Sequence, residues 1–176
     1  MIAVDADTGV WSMVGRGAWT IDYSVERTMQ ESVVGRFMEN WLTIAEDADE
    51  NIAAWGKCSR DDCNSGDGLL YGTRRCAIYC HSGDDIFNRF TYNVVNHYTT
   101  RAASGETWIP NTTTMQITPI DRITDAGGTW RVLATVESNQ NGPFRVEAFV
   151  KLARNIENYP AGMGFYITDF NAYRID

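Results

Sequence analysis

The apolar residues of this 176-residue chain recur at helical spacing over 24–45 and again over 84–101, and at every second position in the segments after Pro110; that change of period constrains the fold most tightly. Val25, Met29, Val33, Phe37 and Trp41 return every four residues, joined by Val34, Met38 and Leu42. Glu26, Arg27, Gln30, Glu31, Glu39 and Asn40 take the other face, so the pattern predicts an amphipathic helix over 25–45 packed on a core. Asp47 can cap a second, shorter helix with Glu50 reaching back, running through Ile52 to Trp55. Asp84 or Asp85 opens a third, with Ile86, Phe87, Phe90, Val94, Val95 and Tyr98 as its apolar stripe and its end near Arg101.

Beyond a loop through Gly105 and Pro110, period-two alternation marks four strands over 112–120, 129–137, 144–152 and 165–173, with turns at 125–128 and 139–143. Helices followed by an antiparallel meander make an α+β fold, the N-terminal helices packed on the concave face of a curved four-stranded sheet. Residues 1–23, with Trp11, Met13, Trp19, Ile21 and Tyr23 at odd positions, read as an N-terminal arm or extra strand. Residues 24–176 read as one cone-shaped domain interrupted by a cysteine-containing insertion at 56–83, dense in Asp, Asn, Ser and Gly.

A net charge of -8, with Arg74 and Arg75 the only adjacent basic pair, argues against direct contact with nucleic acid or an anionic membrane surface. No apolar run approaches the ~20 residues that cross a bilayer. Met1 to Val4 meets Asp5 without a basic start, so no signal peptide is expected within this chain, and an exported or anchored parent would carry that segment upstream.

Cys58, Cys63, Cys76 and Cys80 are spaced C-x4-C-x12-C-x3-C and followed by His81. Thiolates in pairs can hold a structural zinc, and an even count in a loop-rich segment of an exported protein forms disulfides. The irregular spacing favours disulfides, with free buried thiols as a third outcome.

No Ser-His-Asp order, P-loop, His-x-x-x-His or dinucleotide fingerprint is present. Titratable residues at inward positions reduce to Tyr92, His97, Tyr98 and Asp169; His97 reads as a helix-surface residue and Asp169 as a strand carboxylate bonded to a neighbour. Asp61, Asp62, Asn64 and Asp67 lack the closing Glu of a calcium loop and read as a solvated acidic loop. No catalytic residue, metal or cofactor is therefore assigned. Six Trp and eight Tyr exceed the needs of one small core. Trp41, Trp55, Trp108 and Tyr159 fall near element ends or in loops, where a large aromatic serves a subunit contact.

The last nineteen residues carry Asn158, Pro160 and Gly162 ahead of an aromatic alternating run, a fixed turn feeding a strand. That turn, the element order, the helix ending at Trp41 and the strand beginning Thr129-Trp130 resemble the nuclear-transport-factor-2-like cone. More narrowly, they resemble the periplasmic domain of the inner-membrane scaffold subunit of type IV secretion systems, the virulence-B eighth component family. The family turn is Asn-Pro-x-Gly; here Tyr159 stands between Asn158 and Pro160, and Phe165, Thr168, Asp169, Tyr173 and Arg174 continue the likeness. The cysteine insertion is a second departure.

The resemblance implies a non-enzymatic assembly subunit serving DNA conjugation or protein export. It also implies a periplasmic domain of a single-pass inner-membrane protein whose N-terminal anchor is missing here, and self-association with docking of other channel subunits. The alternatives are a small cone-fold enzyme, an isomerase or cyclase with a carboxylate or His at the base of a pocket between helices and sheet, and a ligand-binding domain with the same pocket but no titratable group.

Overall fold

The computed structural model describes residues 10–14, 18–44, 59–64 and 74–175. The helix expected over Asp47 to Trp55, together with Cys58 and Asp67, lies outside them. Strands β1 (Val10–Val14) and β2 (Ala18–Asp22) pair antiparallel, Val10 opposite Asp22 and Val14 opposite Ala18, as a ladder separate from the main sheet.

Helix α1 runs Ser24–Trp41 and ends before Ala45, because the chain turns at Leu42 into the sheet edge, where Ile44 and Trp108 exchange backbone hydrogen bonds of 3.0 and 2.9 Å. Val33, Val34, Phe37, Met38 and Trp41 are buried as the periodicity requires. The first two turns are rotated from expectation. Val25 is 60% exposed, while Glu26 and Gln30, assigned to the solvent face, are buried. Gln30 tolerates this because both ends of its amide are used. Its Oε1 accepts from Trp130 Nε1 at 3.1 Å and its Nε2 donates to the Thr124 carbonyl at 2.9 Å.

The cysteine segment supplies α2 (Arg60–Asn64) and α3 (Arg74–His81). It is more than an appended loop: α3 packs on α1, and Ile78 is fully buried in the main core. The third expected helix is present as α4 (Asp84–Arg89) and α5 (Val95–Ala103), joined without a break by one π-helical stretch, Phe90–Val94. Phe90 and Tyr98, eight residues apart, are both buried. In a regular α-helix they would be about 80° out of line; a π-turn absorbs one residue and brings both to the core.

The sheet has five strands rather than four. In place of one edge strand over 112–120 there are β3 (Trp108–Pro110) and β4 (Gln116–Pro119), which pair in succession with the same edge of β5 (Gly127–Ser138). Asn111 causes the interruption: its side-chain oxygen accepts from the N–H groups of Thr113 and Thr114, folding the chain into an Asx turn. The prolines Pro110 and Pro119 sit on this edge, where a missing N–H is tolerated. Then follow β6 (Phe144–Arg154) and β7 (Phe165–Arg174), all antiparallel.

A bulge between Lys151 and Leu152 of β6 and their partners Asp169 and Ile167 leaves Thr168 unopposed. It bends the sheet and shifts the inward parity of β7 from Phe165 and Ile167 to Phe170. Asp169, expected inward, is thereby exposed. The concave face of β5, β6 and β7 meets α1 and α4 around Phe37, Trp41, Phe90 and Phe170, whose rings lie 4.6–5.4 Å apart in successive pairs. Edge-on and tilted aromatic contacts of this kind pack this part of the cone interior.

His81, at the end of α3, is a buried group the sequence did not mark as structural. Its Nε2 is buried without a hydrogen-bond partner. Burial, aided by the positive charge of Arg36, pulls its pKa down from 6.5 to about 4. The unfolded chain therefore binds the extra proton first, and stability rises with pH through this window. The contribution is fully present above about pH 6.5 and is lost as pH falls towards 4, a difference of about 3 kcal/mol. Urea unfolding of wild type and His81→Phe between pH 4 and 7 should give a flatter pH profile for the variant; equal slopes would show that His81 does not titrate with folding.

Candidate functional site

Residues 155–164 join β6 to β7 and close on themselves. The Asn155 N–H donates to the Gly164 carbonyl, and the Gly164 N–H to the Tyr159 carbonyl, each at 2.7 Å. Asn155 Oδ1 accepts from the Asn158 N–H at 3.1 Å, and Pro160–Gly162 form a single 3-10 turn. Gly164 follows with φ 89°, where a Cβ would lie 2.8 Å from the Ile156 nitrogen, so only glycine closes the loop without strain. Gly162 serves a different need. It is buried, and a Cβ there would press on Val33 of α1 at 3.3 Å, so the turn rests directly on that helix. Asn158 and Pro160 remain exposed.

Tyr159, the residue inserted between them, turns inward. Its ring stacks on Tyr166 at 4.1 Å with planes 3° apart, and its hydroxyl donates to the Ser82 carbonyl at 3.1 Å. Burial pushes its pKa up to about 12, so it remains a protonated donor at physiological pH. The Arg60 guanidinium lies over Tyr159 at 4.6 Å and over Tyr79 at 3.9 Å. It also donates to the Tyr79 carbonyl, to the Ser82 carbonyl at 2.9 Å and to Asp84 at 3.0 Å.

Cys63 and Cys80 form a disulfide with Cα atoms 5.2 Å apart, fastening α2 to α3; Cys76 is disulfide-bonded as well. Sulfurs paired in this way offer no thiolate to a zinc ion, and closing a loop of this length contributes about 3 kcal/mol in chain-entropy terms. Asp61, in the expected acidic loop, is an exposed residue of α2, and no cluster of His, Cys, Asp or Glu among the described residues is arranged to hold a metal.

At the other end of the cone, a cleft of about 230 Å³ opens between the end of α1, α5 and the sheet, with Tyr98, Trp108 and Phe144 among its walls. Among its polar residues Glu106 is buried, 4% exposed. Arg101 pairs with this carboxylate at 2.9 Å, and Trp108 Nε1 and Asn141 Nδ2 donate to it at 2.8 and 2.9 Å. Burial alone would raise the Glu106 pKa, but the bonds from Trp108, Arg101 and Asn141 together outweigh it and hold the pKa below the ordinary value. A carboxylate so fully engaged and so acidic is a poor general base. Glu106 escaped sequence reasoning because a Glu next to Gly105 looks solvated. The available signal was local: an indole two residues on that needs an acceptor, and an Arg five residues back.

No protein-family model matches this chain, and no curated protein sequence matches it. Among solved structures, that of the VirB8 protein of Agrobacterium tumefaciens is similar at TM-score 0.50 and 9% identity, covering 89% of this chain and 98% of its own. This chain has the VirB8 fold. The nuclear-transport-factor-2-like cone expected from the element order is thus the architecture found, with the edge strand split in two.

Within the VirB8-like cone, the residues singled out from sequence separate by depth. Tyr98 is buried and donates to the Trp41 carbonyl at 2.8 Å, whereas Tyr92 and His97 are exposed, His97 Nε2 accepting from Arg101 at 2.8 Å. Of the aromatics assigned to a subunit contact, Trp41 and Tyr159 are buried within the chain and so are not presented on its surface. Trp108 is half-buried in the cleft, and Trp55 lies outside the described residues. No described helix is long and apolar enough to cross a membrane.

Proposed function

We propose that this chain is a non-enzymatic assembly module of a type IV secretion machine. It would be the periplasmic part of a single-pass inner-membrane subunit that associates with itself and docks other channel subunits. The observation that carries this reading is the correspondence of nearly the whole VirB8 cone, 98% of that chain, with this one. Paired cysteines fit an oxidising compartment, and a net charge of -8 fits a partner that is protein rather than DNA. The catalytic alternative is disfavoured by chemistry. The part of the cone around Phe37, Trp41, Phe90 and Phe170 is packed with aromatic rings, and the carboxylate in the cleft is held ionised by a salt bridge and hydrogen bonds.

Self-association is expected to be weak and to use the outward face of α1, where Val25, Ser32 and Glu39 are exposed. Sedimentation velocity over a wide concentration range should show reversible dimerisation of the wild type, and its loss in Val25→Lys/Ser32→Lys/Glu39→Lys. A strict monomer at millimolar concentration, or a small ligand co-purifying in the Trp108 cleft, would sink the assembly reading. An apolar stretch of about 20 residues upstream in the native gene would support the anchored topology.

A further inference from the structure

Two features set this chain apart from the secretion-subunit pattern, the cysteine segment and the extra Tyr159, and they meet in one contact. Arg60 from the cysteine segment is sandwiched between Tyr79 of α3 and Tyr159 of the terminal turn. Tyr166 of β7 lies on Tyr159 in turn, giving a connected series of Tyr79, guanidinium, Tyr159 and Tyr166. Arg60 and the Tyr159 hydroxyl also converge on the same Ser82 carbonyl, at 2.9 and 3.1 Å. A flat guanidinium can lie against two rings while keeping its N–H groups in plane for carbonyls, which an ammonium cannot do.

Helix α2 is five residues long, too short to hold its own shape or position. The described ties that fix it are the Cys63–Cys80 disulfide and the contacts of Arg60, and Cys63 is buried among the apolar groups. Lifting α2 away would therefore leave the core of α1, α3 and the sheet intact, a local opening rather than global unfolding.

We propose that α2 is a disulfide-held clasp that locks the terminal turn, residues 155–164, against the α3–α4 junction, and that reduction of Cys63–Cys80 by a dithiol releases Arg60 and frees the turn. The exchange is a two-electron step. A thiolate of the dithiol attacks one sulfur, breaking the S–S bond and forming a mixed disulfide. The second thiolate of the dithiol then displaces the remaining cysteine, Cys63 and Cys80 end as protonated thiols, and the dithiol leaves as its own disulfide. The clasp thus makes the order of the turn, and the surface it presents through Asn158 and Pro160, depend on the redox state of a segment nearly a hundred residues away in sequence. This holds whichever machine the chain serves.

Amide hydrogen exchange on the full chain tests it. In Cys63→Ser/Cys80→Ser, which leaves Cys58 and Cys76 in place, the amides of Tyr159, Gly162, Met163 and Gly164 should exchange about tenfold faster or more, while those of β5 and β6 keep their rates. Arg60→Ala, with the disulfide intact, should loosen the same amides, and Arg60→Lys should fail to restore them. Titrating the wild type with a dithiol should release the turn in step with reduction of Cys63–Cys80. Unchanged turn protection in Arg60→Ala would overturn the clasp, even if the double serine variant fails to fold. Equal acceleration in the turn and in β5 and β6 would overturn it too, reducing the disulfide to general stabilisation.

Discussion

Trp130→Ala is expected to lower the unfolding free energy by about 3–5 kcal/mol, the range for deleting a large side chain from a well-packed core. Trp130 is fully buried on β5 opposite Val150, and its indole N–H is bonded to Gln30 in the middle of α1. The side chain therefore does two things: it fills the concave face, and it satisfies an amide oxygen that would otherwise be buried unpaired. The second role can be isolated. Trp130→Phe keeps most of the apolar volume but leaves Gln30 Oε1 without a donor, which costs about 1–3 kcal/mol beyond the volume change. Gln30→Leu in the Trp130→Phe background should recover part of that loss, because an orphaned polar atom is replaced by an apolar group. For a chain of this length each kcal/mol moves the thermal midpoint by about 2–4 °C, so the alanine variant should melt some 10 °C lower. If Gln30→Leu destabilises Trp130→Phe further, the pairing does not explain why a glutamine is buried on α1.

That pair also shows where sequence reading stops. The aliphatic and aromatic positions of α1 are periodic, and the helix was legible from them. Residue type alone puts Glu26 and Gln30 on the solvent face. What permits Gln30 inside is a partner 100 residues away and a carbonyl 94 residues away. The strands were legible from alternation, but the bulge at Thr168 was not, since one unopposed residue shifts the parity of everything after it and leaves no local signature. Asn111 carries a turn propensity, yet it took the paired β5 to turn one edge strand into two short ones. At the site, the turn around Asn158, Pro160 and Gly162 was visible because its hydrogen bonds close within ten residues. The contact of Arg60 with Tyr159 was not visible, because it joins two segments that only the folded cone brings together.

Removing the Glu106 carboxylate is the other change with a large expected effect, and it acts on loops rather than on the core. Glu106 binds Arg101 at the end of α5, Trp108 on β3 and Asn141 in the turn between β5 and β6. Glu106→Ala leaves an indole N–H, an amide and a guanidinium facing the cleft without their acceptor. Breaking a buried pair on one side costs about 3–5 kcal/mol. Arg101 is 32% exposed and can recruit water, so the lower end of that range is expected here. Glu106→Gln keeps an acceptor for Trp108 while losing the ion pair, and should fall between the alanine variant and wild type. The acid limb supplies an independent check. A carboxyl whose folded pKa is depressed contributes stability that is present above its unfolded value, near 4.5, and lost as pH falls through the lower folded value. The His81 contribution disappears earlier, between about 6.5 and 4. Wild-type stability should therefore decline in two overlapping stages on acidification, with Glu106→Gln flattening only the lower one. If Glu106→Gln instead changes the profile above pH 6 and leaves the lower stage intact, the Glu106 carboxylate is not the anion that ties α5 to the sheet.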